Sequence, residues 1–64
     1  MLLQIQKISK EKNKSIAALS RETKVQRKFI YMYDKGQIIP RLDTACRIAK
    51  ALNVPLQELI KEES

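Results

Sequence analysis

The sequence predicts an all-α fold of five short helices in a single domain, residues 1–64, and three observations carry that reading. Breakers are scarce, with Gly36, Pro40 and Pro55 the only glycine and prolines in 64 residues, so little punctuates the chain into strands and tight turns. Apolar residues recur at spacings of three and four, the period of a helix that buries one face. There is also no internal repeat and no low-complexity tract. An apolar fraction of 44% is ordinary for a globular chain, although this length stands near the lower limit at which a hydrophobic core alone holds a fold.

The first helix carries Leu2, Ile5 and Ile8 as its stripe and should end near Asn13, a residue type that tolerates the left-handed conformation found just past a helix C-terminus. Ser15 is a good N-cap for the second helix, about two turns long, with Ile16 and Leu19 inward and an end around Thr23-Lys24. Val25 reads as a buried hinge before a third segment that opens at Gln26.

That third segment, "RKFIYMYDKG", is locally ambiguous. Phe29 to Tyr33 are mostly strand-favouring types, and Asp34-Lys35-Gly36 resembles a hairpin turn. Its neighbours on both sides are helical, however, and as a helix it divides cleanly. Ile30 and Tyr33 fall on one side with Phe29 at the margin, while Arg27, Lys28, Tyr31 and Lys35 fall toward the other. Gly36 then suits a helix end that needs positive φ.

"QIIP" is a connection whose proline favours an extended approach to the fourth helix. There Ala45, Ile48, Ala49 and Leu52 follow the i, i+3, i+4, i+7 template without a miss. Asn53 serves as its terminator. Pro55 suits the first turn of a short fifth helix, with Leu56, Leu59 and Ile60 inward.

Thirteen Lys and Arg against seven Asp and Glu give a formal charge of +6, which points to a polyanionic partner or, more plainly, to solubility. The distribution favours the first. Lys7 to Lys50 holds twelve basic residues against Glu11, Glu22, Asp34 and Asp43, whereas Ala51 to Ser64 sets Lys61 against Glu58, Glu62 and Glu63. The single Cys46 and the lack of histidine rule out an internal disulfide or a Cys/His zinc site, and no group suits acid–base or nucleophilic catalysis. Neither a signal-peptide core nor a membrane-length apolar run is present, so the expected setting is cytoplasmic, with no membrane partner.

Two short helices joined by a tight turn, the second with basic and polar residues outward, meet the physical requirements of a helix-turn-helix. The major groove admits one α-helix, and base edges are reached from near its exposed N-terminal end, here "QRK". Arg27 has the fork to pair with guanine in bidentate fashion, and Lys28 suits a base edge or a phosphate.

On these residues the chain resembles the phage repressor and Cro family of helix-turn-helix regulators, often called the XRE family, over roughly Leu2 to Ile60. In "SIAALSRETKVQRKFIYMYDKG", Leu19, Val25 and Ile30 stand at the usual leucine, turn valine and buried isoleucine. Asp34 and Gly36 stand at the acidic residue and the closing glycine. "PRLDTACRIAKALNV" and "PLQEL" match the fourth and fifth helices. The resemblance implies a compact five-helix lambda-repressor-like DNA-binding domain with the helix-turn-helix formed by helices 2 and 3. The chain departs from the pattern in four places. Ile16 replaces the glutamine that commonly touches phosphate, Lys24 the glycine of the turn, Arg41 a small N-capping residue, and Tyr31 a serine.

Carried over position by position, the resemblance implies base contacts from Arg27, Lys28, Tyr31 and Met32, and phosphate contacts from Lys14, Ser15, Gln26, Lys35 and Arg41. Tyr31 has a second reading as a packing residue against a neighbouring helix, and Met32 likewise. Cys46 reads as a small core or boundary residue; Lys7, Lys10 and Lys12 read chiefly as solubilising. The implied partners are double-stranded DNA and a second copy, on a pseudo-palindromic operator. Ile38, Ile39, Leu56, Leu59 and Ile60 are candidates for the dimer surface, with a core role as the alternative for the leucines. The expected function is transcriptional regulation, probable repression included, without catalysis, cofactor, metal or small-molecule ligand. The alternative is an antitoxin or adaptor on the same fold with mainly non-specific DNA affinity; a site-selection experiment separates the two.

Overall fold

Left-handed residues set the course of the chain. The computed structural model describes residues 2–61, with the backbone alone at Leu2 and Lys61. It contains α1 (Ile5–Glu11), α2 (Ile16–Thr23), α3 (Arg27–Lys35), α4 (Leu42–Ala51) and α5 (Leu56–Leu59). Past each of the first four helices one residue turns to positive φ: Asn13 at 55°, Lys24 at 62°, Gly36 at 76° and Asn53 at 59°. After α1, α3 and α4 the two following N–H groups bond back to the last turn. For α3, Gly36 N–H donates to the Tyr33 carbonyl at 3.2 Å and Gln37 N–H to that of Met32 at 2.9 Å. These are Schellman closures, which satisfy carbonyls that a helix end would otherwise leave orphaned.

Lys24 is the one of the four that is neither Asn nor Gly. It closes α2 with a single bond, from its N–H to the Ser20 carbonyl at 2.8 Å. A Cβ at this conformation costs free energy that glycine avoids. Lys24→Gly should therefore raise stability by about 1 kcal/mol, seen as a higher denaturant midpoint at unchanged slope.

Each helix supplies at least one of the large side chains that are at most 1% exposed: Ile5, Leu19, Ile30, Ile48 and Leu59, joined by Leu52 just beyond α4. Val25 and Tyr33 are partly buried and pack against this cluster, as do Ile16, Leu56 and Ile60. The expected stripe of α4 is inward throughout, since Ala45, Ile48, Ala49 and Leu52 are all buried. Leu59 was a candidate for the dimer surface; at 0% exposure it is a core residue of the single chain and leaves that set.

The ends of the fold differ from the sequence reading. Leu2–Leu3 (β1) is not the start of the first helix but a two-residue strand, paired antiparallel with Ile60–Lys61 (β2), so that Leu3 faces Ile60. Next to this pairing, Gln4 N–H donates to the Leu59 carbonyl at 2.9 Å, and Gln4 Nε2 to the Glu58 carbonyl at 2.8 Å. Carbonyls of the short α5 thus find partners in the N-terminal segment, and that pairing holds Ile60 extended instead of extending the helix. Residues 1 and 62–64, part of the expected 1–64 domain, lie outside the described residues.

Asp34 does more than end α3. Its carboxylate accepts from the Gln6 backbone N–H at 3.0 Å and from Gln6 Nε2 at 2.7 Å. Gln6 is in the first turn of α1, which has no acidic residue of its own there and no side-chain cap on Gln4. Asp34 therefore caps α1 from another helix, placing negative charge at its positive end. Asp34→Ala should lower stability by about 1 kcal/mol, measured by urea unfolding.

Candidate nucleic-acid interface

Three side chains hold the turn between α2 and α3. Ser20 Oγ donates to the Val25 carbonyl at 2.5 Å. Thr23, only 3% exposed, donates through Oγ1 to the Leu19 carbonyl at 2.8 Å, and the same oxygen lies 3.3 Å from the Val25 nitrogen, whose N–H it accepts. With Val25 packed on the core, the angle at which α3 leaves α2 is fixed by satisfied polar groups rather than by the chain alone. None of these hydroxyl bonds was singled out from sequence; Ser and Thr flanking a helix end were the available signal.

α3 is partitioned as a helix. Ile30 is fully buried and Tyr33 packs on the core. Gln26, Arg27, Lys28 and Lys35 are exposed, Tyr31 is 40% exposed, and Met32 and Phe29 are half-buried. Lys28 Nζ lies 5.2 Å from the centre of the Phe29 ring, within cation–π range. Arg27, Lys28 and Tyr31 thus share the solvent-facing side, with Met32 at its edge. Arg41 occupies the N-cap position of α4 without capping it through its side chain, so its guanidinium is not used there.

At the start of α2, Ser15 is the N-cap, its Oγ accepting from the Ala18 N–H at 3.1 Å. Helix geometry leaves the Ile16 and Ala17 N–H groups without intrahelical partners. Lys14 behaves differently from the other cations. Its ammonium is 2.9 Å from Glu22 Oε1 and donates to the Ala51 carbonyl at 2.6 Å, while its own carbonyl accepts from the Ser9 hydroxyl. It pins the α1–α2 connection to the end of α4, where positive charge is favourable. Its expected place among the phosphate contacts is corrected accordingly, because its donors are already committed inside the fold. The Lys14–Glu22 contact is the only ion pair among the described residues.

The exposed apolar surface also differs from expectation. Ile39 is 68% and Leu42 67% exposed, whereas Ile38, Leu56 and Ile60 are half-buried. Leu42 stands one turn ahead of Ala45, the first buried member of the α4 stripe, and therefore beyond the edge of the core. Cys46 is exposed rather than in the core, since one residue past Ala45 turns about 100° around the helix.

Among the described residues, no helix is long and apolar enough to cross a membrane, and no three His, Cys, Asp or Glu side chains gather in a way that would hold a metal ion. A family model described as a helix-turn-helix domain matches residues 4–64. No curated protein matches the sequence.

Proposed function

The chain belongs to the helix-turn-helix domain family, and from that premise we infer that it is a sequence-specific, non-enzymatic regulator that works by occupying an operator in double-stranded DNA. DNA binding is the activity that membership supports. The observation that carries the finer reading is the exposed N-terminal end of α3, where Gln26, Arg27 and Lys28 stand together in solvent. Arg27 is assigned to a guanine edge, Lys28 to a base or phosphate, and Tyr31 and Met32 to apolar contact such as a thymine methyl. Gln26, Lys35, Arg41 and Ser15 are assigned to the backbone.

One small module reads few base pairs, so two copies on a pseudo-palindromic site are part of this reading, with α3 of each in successive major grooves as in phage repressors and Cro. Repression by exclusion of polymerase, and a cytoplasmic setting, belong to the same proposal. Ile39 is retained as a contact between copies, and the exposure of Leu42 adds it to that surface.

Selection of binding sites from a random duplex pool, with the mass of the free protein measured alongside, tests the proposal. One enriched site with two half-sites about one helical turn apart is expected. A flat profile would favour the adaptor or antitoxin reading, in which the same fold binds mainly protein.

A further inference from the structure

We propose that the corner between α1 and α2 is a second DNA-backbone surface, formed by Lys10 and Lys12, which extends the contact with phosphates beyond the helix-turn-helix itself. The inference rests on the DNA-binding reading and adds to it residues whose bland role is solubility. Three observations place charge there. Lys10 and Lys12 are both exposed and, unlike Lys14, make no ion pair among the described residues. A surface cavity of about 530 Å³ is lined by Lys10, Lys12, Lys14, Ser15 and Ala18 together with Ser9 and Asn13, so these lysines border the same hollow as the first turn of α2. Finally, Lys14, the lysine nearest that turn in sequence, is held by Glu22 and the Ala51 carbonyl.

The charge that faces the polyanion at this corner must therefore come from Lys10 and Lys12. Lys7, which lines an adjoining hollow with Lys10 and Ser15, is four residues before Glu11 on the same helix and is offset by it. Glu11 is the acid nearest in sequence to the pair; it stands between them, exposed and within 4 Å of neither ammonium. Lysine ammonium groups are point charges on flexible stems, suited to phosphates rather than to base edges. The surface therefore adds affinity and salt dependence without adding sequence preference.

The test compares wild type with the double variant Lys10→Gln, Lys12→Gln on the same duplex over a range of salt. Each lost phosphate contact flattens the log–log dependence of affinity on salt by about 0.9. The wild-type advantage should then shrink about twelvefold between about 50 and about 200 mM salt, with the preferred sequence unchanged and the thermal midpoint preserved. On a duplex trimmed to the selected site, without flanking base pairs, the difference should fall away. An unchanged slope in a variant that still folds and binds would overturn the second surface while leaving the DNA reading intact. Failure of the wild type to bind any duplex would overturn both. A changed sequence preference would move the lysines to base contact and contradict the assignment.

Discussion

Truncating Ile30 to Ala should cost about 2 to 5 kcal/mol and leave little of the fold. Ile30 is 0% exposed and is the buried residue of α3, the element that carries the proposed recognition face. A chain of this length is stable by only about 3 to 10 kcal/mol in total, so the loss takes a large share. The urea midpoint should fall sharply, and DNA binding should fail with it at ordinary temperature. Tyr31→Ala, one residue on but 40% exposed, should be far milder in stability. Equal costs at the two positions would contradict the helical partition of α3.

Arg27→Ala should act the other way, sparing stability and weakening recognition. Loss of a bidentate guanine contact costs about 1 to 3 kcal/mol and relaxes preference at one base position. Lys35→Ala, by contrast, should weaken all duplexes alike, because a phosphate contact carries no base information. Competition binding with the selected duplex and its single-base variants separates the two patterns. If Arg27→Ala discriminated between duplexes as the wild type does, the assignment of Arg27 to a base would be lost.

Much of the fold could be read from periodicity. The stripe of α4 and the ends at Asn13, Gly36 and Asn53 depend on spacing and on residue type, both of which are local. The segment from Phe29 to Tyr33 shows where local preference is overruled. Strand-favouring side chains form a helix there because that alone puts Ile30 and Tyr33 on the core while Arg27 and Lys28 stay in water. The pairing of Leu3 with Ile60 was not legible, since two-residue strands have no period and this one joins opposite ends of the chain.

The candidate site was legible in outline and less so in its details, for the same reason. The exposure of Arg27, Lys28 and Tyr31 follows from helical phase. The loss of Lys14 to Glu22 and the Ala51 carbonyl depends on where α4 ends in space, as does the capping of α1 by Asp34. Leu59 and Cys46 were each placed on the wrong side of the surface: hydrophobic character alone does not say whether a residue near a chain end meets the core, and a small thiol has no side it must take.

Chemical protection of the selected duplex tests the placement of α3 in the major groove most directly. Dimethyl sulfate methylates guanine N7 in the major groove and adenine N3 in the minor groove, two atoms that lie on opposite faces of the base pairs. Wild-type protein should shield guanine N7 at one position in each half-site, and Arg27→Ala should restore methylation at that guanine while phosphate contacts persist. Protection confined to adenine N3, or full N7 reactivity beneath bound protein, would contradict a recognition helix in the major groove.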